Sequence, residues 1–165
     1  MLEHCPAWKG ALGIDEFSRE ITIRGDNPLG LRVGATWTEQ QDLELSAWLS
    51  SMQGLTIKSV EQTRLGVVLA ASKAPFHPVR DYLEALEWDR ESRLNAWASK
   101  YLGAKDCEYT SLVGRYFIIN MIRRIFEPGC VMRSVPVLEG AQNRGKSSSL
   151  RALAQPWFAD TPFPL

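Results

Sequence analysis

Apolar and polar positions along the chain change rhythm twice. Residues 1–37 show no long period, only short β-branched runs. Residues 14–17 and 20–23 can pair as strands, with Ile21, Thr22 and Ile23 carrying the β character. Arg24, Gly25, Asp26, Asn27 and Pro28 read as a turn, and Trp8, Phe17 and Trp37 are candidates to dock this arm on a helical body. From Thr38 the period becomes helical. Thr38 and Gln41 form a capping-box pair, followed by Leu45, Trp48, Leu49 and Met52 on one face and by Gly54 as a stop. Ser59 opens a second helix with Val60, Val67, Val68 and Ala71 on its stripe. Residues 73–77 read as a linker around Pro75.

Pro78 suits the first turn of a third helix, whose apolar face is Val79, Tyr82, Leu83 and Leu86. Ser92 is the expected cap of a fourth, carrying Leu94, Trp97 and Tyr101 and closed by Gly103. Asp106 opens the longest helix, which ends before Pro128 and Gly129. Its apolar face includes Tyr109, Leu112, Val113, Tyr116, Phe117, Ile119 and residues 122–126. That breadth predicts a central, largely buried helix. The rhythm then changes again: residues 134–138, with Val135, Val137 and Leu138, read as a strand running into glycine. Residues 146–154 read as a helix stopped by Pro156.

Between that strand and helix lie Gly140, Ala141, Gln142, Asn143, Arg144, Gly145, Lys146 and Ser147, matching G-x-x-x-x-G-K-[ST]. Glycines let the backbone curl so that successive N–H groups converge on phosphate oxygens, and the next helix adds its own free N–H groups and partial positive charge. This assigns nucleotide binding to Gly140, Gln142, Asn143, Arg144, Gly145, Lys146, Ser147 and Ser148, with Lys146 on the outer phosphates and the Ser147 hydroxyl on Mg²⁺. Asn143 stands where many such loops carry another glycine, and Asn is the side chain that best tolerates positive φ.

Composition adds little. The 165 residues are 45% hydrophobic and 23% charged with no net charge, so no overall field selects nucleic acid or an anionic membrane. Residues 115–165 hold seven basic against three acidic side chains, a mild bias that suits a phosphate-binding end. Cys5, Cys107 and Cys130 fall outside any metal-ligand spacing. A reduced, cytoplasmic protein with no membrane partner is expected, because no signal-peptide pattern or spanning run is present. His77 lacks any nucleophile or carboxylate that sequence places beside it. The expectation is a structural ring capping the third helix, and no catalytic residue is assigned. Trp48 and Trp97 are expected in the core, and the acidic stretch 81–91 as a solvated face.

Three segments of sequence resemble the virulence-associated protein E family. The first is Phe76-His77-Pro78-Val79-Arg80-Asp81-Tyr82-Leu83, followed by Trp88-Asp89 and Arg93-Leu94. The second is Pro128-Gly129 and Val137-Leu138-Glu139-Gly140 leading into Gly145-Lys146-Ser147-Ser148. The third is Leu150 to Ala154 followed by Trp157-Phe158-Ala159-Asp160. The resemblance implies a phage- or prophage-linked P-loop ATPase similar to primase-associated helicases, with ATP and Mg²⁺ at the loop, DNA as macromolecular partner and a ring-shaped homo-oligomer. The expected fold is mixed α and β. An irregular or β arm (1–37) and a helical module (38–130) lead into the first strand, loop and helix of a P-loop domain (131–165). Nineteen residues follow Lys146, whereas a β-loop-α-β unit takes about 30 or more. The expectation is therefore an N-terminal fragment of the ATPase, inactive by itself. The alternative is a non-catalytic interaction module, or a decayed prophage product, with a remnant loop.

Overall fold

The computed structural model describes residues 5–53, 57 and 59–159. Among them the protein is mixed α and β, with six α-helices and one small three-stranded sheet. The chain divides into two compact units, Met1–Tyr82 and Leu83–Leu165.

The first unit is built on the expected hairpin. β1 (Leu12–Asp15) pairs antiparallel with β2 (Ile21–Ile23), aligning Leu12 with Ile23 and Ile14 with Ile21. β1 lies two residues earlier than the apolar pattern suggests, because Asp15 turns the chain. Its Oδ1 accepts the N–H of Phe17 at 2.7 Å and of Ser18 at 3.3 Å. The stretch read as a linker contains a third strand: β3 (Pro75–Phe76) pairs parallel with β1, aligning Ile14 with Pro75. Proline is tolerated there because β3 is an edge, where one face of the backbone has no ladder to supply.

Two helices cover the sheet. α1 (Glu39–Gln53) begins with one half of the expected capping box: Thr38 N–H donates to Gln41 Oε1 at 2.8 Å, and the Thr38 hydroxyl donates to the same oxygen. Leu45 and Leu49 are buried on its inner face, while the Met52 side chain and Gly54 lie outside the described residues. α2 (Val60–Ser72) buries Thr63, Val67 and Ala71. Val68 lies about 100° off this stripe and is exposed, and Val60, though on the stripe, is exposed at the first residue of the helix. Trp8 closes the core, edge-on to Trp37 at 5.9 Å and to Trp48 at 6.2 Å. α3 (Pro78–Glu84) starts at the proline, as its fixed φ favours. Of the face drawn for it, Val79 is buried, but Tyr82 and Leu86 are exposed.

The second unit holds α4 (Trp97–Leu102), α5 (Glu108–Phe126) and α6 (Lys146–Ala154). Gly103 ends α4 in the left-handed region, φ 68°, as a C-terminal glycine should. Its start is later than Ser92, because Asp89 organises the chain there as a side-chain-locked loop. Asp89 accepts the Glu91 N–H at 3.0 Å and both Arg93 guanidinium nitrogens at 2.8 and 2.7 Å. α5 begins after Cys107 rather than Asp106.

Two expectations are corrected in this unit. α5 is not largely buried: Gly114 is its one fully buried residue, and Tyr109, Leu112, Tyr116, Ile119 and Phe126 are exposed. One face packs on α4, with Trp97 stacked on Phe117 at 6.0 Å. Residues 134–138 form no strand, because a strand needs a ladder partner and the described residues supply none. No helix among the described residues is long and apolar enough to cross a membrane.

Candidate functional site

Gly145 is the residue from which the phosphate-loop motif turns into α6. It stands at the N-cap with φ 79°, a left-handed conformation that costs a side-chain-bearing residue about 1–2 kcal/mol. Two further residues share this requirement. Gly140 has φ 150°, open essentially to glycine alone, and Asn143 has φ 62°. Asn143 thus adopts the backbone that its place in the motif anticipated.

Lys146 is the first residue of α6, and its side chain folds back across the loop. Its Nζ donates to the carbonyl oxygens of Gly140 at 2.7 Å and Ala141 at 2.9 Å. These charge-assisted bonds close the curl of residues 140–146 around one ammonium group. At the helix start, the Ser149 N–H reaches the Gly145 carbonyl at 2.8 Å, and the Ser149 hydroxyl donates to the same oxygen at 2.8 Å. The N–H groups of Lys146, Ser147 and Ser148 precede the first intrahelical bond, so they point out of the helix N-terminus. Ser147 and Ser148 are exposed beside them, as are Gln142, Asn143 and Arg144.

Every sequence-assigned residue therefore lies on one short curl at a helix N-terminus. What the curl offers is its polarity: free N–H groups at a helix N-terminus and an ammonium group, each of which attracts an anion, lie on one short segment. Sequence reasoning missed Ala141, which contributes only a carbonyl to Lys146. No side-chain signal could have marked it. Asp160 and the proline-containing residues 161–165 lie outside the described residues. Among the described residues no group of three or more His, Cys, Asp or Glu side chains could hold a metal.

His77 is placed as expected. It is buried, and its Nδ1 accepts the Arg80 N–H at 3.2 Å, capping α3 at its third position. Its ring centroid lies 5.8 Å from that of Phe17.

The motif thus forms a glycine-bent curl closed by Lys146 at the start of α6. A family model for the virulence-associated protein E-like domain matches residues 83–165, which include the loop and both helices before it. The chain belongs to that family. No curated protein matches it.

Proposed function

We propose that this chain carries the nucleotide-binding loop of a P-loop ATPase of the virulence-associated E type, and that the ATPase works on DNA as a helicase or primase-helicase. The observation that supports the reading is Lys146, held across the loop at 2.7 and 2.9 Å from the Gly140 and Ala141 carbonyls. An ammonium group held over the loop, beside the free N–H groups of a helix N-terminus, suits polyphosphate binding. In this reading the backbone from Gln142 to Lys146 cradles the phosphates, and Lys146 exchanges its carbonyl partners for outer phosphate oxygens. Ser147 holds Mg²⁺, which neutralises charge that develops on the phosphates. Arg144, exposed at the loop tip, adds positive charge at the mouth. DNA as the partner and a ring of identical subunits rest on the family resemblance.

The test is binding of a fluorescent ATP analogue with Mg²⁺ to the wild-type protein and to Lys146→Ala. The expected loss is about 100-fold or more in affinity, close to 3 kcal/mol. Wild-type affinity in the variant, with its helical circular dichroism intact, would sink the reading. DNA-stimulated ATP hydrolysis tests the second half of the proposal separately.

A further inference from the structure

The loop between α3 and α4 holds Trp88, an indole that is 75% exposed. It is not a loose side chain. Trp88 Nε1 donates to the Glu91 carbonyl at 3.3 Å, inside a turn that Asp89 locks by its bonds to the Glu91 N–H and the Arg93 guanidinium. A single exposed indole is ordinary by itself, and it gains meaning only from the apolar groove it borders.

Beside it runs an open groove of about 430 Å³, lined by Trp88, Glu91, Arg93, Leu94, Trp97 and Ile118. Its floor is firm. Trp97 stacks on Phe117, and Gly114 of α5 lies so close behind that an added Cβ would sit 2.8 Å from the indole nitrogen. Two indoles, a leucine and an isoleucine therefore form a preorganised apolar slot within a single unit.

The charge around the slot selects its occupant. Glu84, Glu87 and Glu91 are exposed, Arg90 is the one basic residue in positions 84–92, and the Asp89 carboxylate is taken up by Arg93. The Arg93 guanidinium at the rim is engaged bidentately by Asp89. A phosphate backbone crossing this groove would face carboxylates and find the nearest guanidinium already neutralised. A cationic segment would find both aromatic faces and carboxylates.

We propose that the groove docks a basic peptide segment of a partner protein, with an apolar side chain seated between Trp88 and Trp97 and flanking lysine or arginine residues against Glu87 and Glu91. The peptide-binding site is separate from the phosphate loop and does not depend on nucleotide.

The test is anisotropy of a short fluorescein-labelled peptide alternating lysine and leucine, titrated with the full chain, against its glutamate–leucine counterpart. The lysine peptide should bind at least about tenfold more tightly, and more weakly as salt rises. Trp88→Ala should weaken it about tenfold, as truncating an aromatic anchor does. Glu91→Gln should weaken it about threefold and flatten the salt dependence. Trp88 is exposed, so its loss should spare the fold, and circular dichroism checks this. Glu91→Gln is a second variant that removes charge without removing packing. Equal binding of the two peptides, or indifference to both substitutions, would overturn the proposal. So would binding of a single-stranded oligothymidine, or self-association seen by ultracentrifugation, that Trp88→Ala abolishes. The first would make the groove a nucleic-acid site and the second a contact between copies of this chain.

Discussion

Arg90 and Asn143 hold nearly the same backbone, φ 69° and 62°, in two different loops. Asparagine is suited to it and arginine is not, so Arg90→Gly should relieve strain. The expected gain is about 0.5–1 kcal/mol, read as a higher urea midpoint with unchanged slope. Next to Arg90, Asp89 gives a prediction in pH. Arg93 bonds to its carboxylate and, with the Glu91 N–H, holds the group down at about 2 from 3.8. The value in the folded chain is the lower one. The contribution of the locked turn is therefore complete above about pH 4 and disappears as pH falls towards 2. A carbon-13 titration of the Asp89 carboxyl should show the low midpoint, and Arg93→Ala should return it to the ordinary carboxylate range. At this scale the sequence was readable where side-chain chemistry matches the backbone need. Asn143 in the phosphate loop and His77 before Pro78 are examples. Arg90 was unreadable because nothing about an arginine announces a left-handed turn.

Among the elements, the contact between α4 and α5 depends on the absence of a side chain at Gly114. A Cβ there would lie 2.8 Å from Trp97 Nε1 and 3.1 Å from the Ala98 Cβ. Gly114→Ala gains helix propensity of about 1 kcal/mol, but overpacking against a stacked indole costs about 1–3 kcal/mol. The expected outcome is net destabilisation, with a lower melting temperature and a red-shifted indole emission. Gly13 in β1 is tighter still, because an added Cβ would lie 2.8 Å from the carbonyl of Ala74, the residue just before β3, and neither backbone can yield. Helix starts and stops were mostly legible, as Thr38, Pro78 and Gly103 show, since caps and breakers are local chemistry. The β3 strand was hidden by its proline, and residues 134–138 were read as a strand from composition that carries no information about a partner. The periodicity of α5 identified which residues align along the helix. It could not say which of two faces is covered.

For the whole molecule, the two units differ in how much apolar surface they enclose. Trp8, Leu12, Ile23, Leu45, Leu49 and Val67 are buried together in the first. In the second, Ala98 is the one apolar side chain among the described residues that is fully buried. Stability follows buried apolar area, so local opening should be far easier in the second unit. Hydrogen exchange followed by mass spectrometry should find amides of α1 and α2 protected well beyond those of α4 and α5. Equal protection would show that the exposed face of α5 is covered in solution.

Lys146 has a consequence for discrimination. Its ammonium group has two carbonyl partners, which tie the start of the loop to the start of the helix. An incoming anion gains only the difference between its own attraction and the bonds it displaces. A singly charged ion such as chloride offers little more than two oriented carbonyls do, whereas a chain of phosphates offers several charges at once. On the proposed function the tether would act as a threshold, favouring polyphosphates over the far more abundant small anions of the solution.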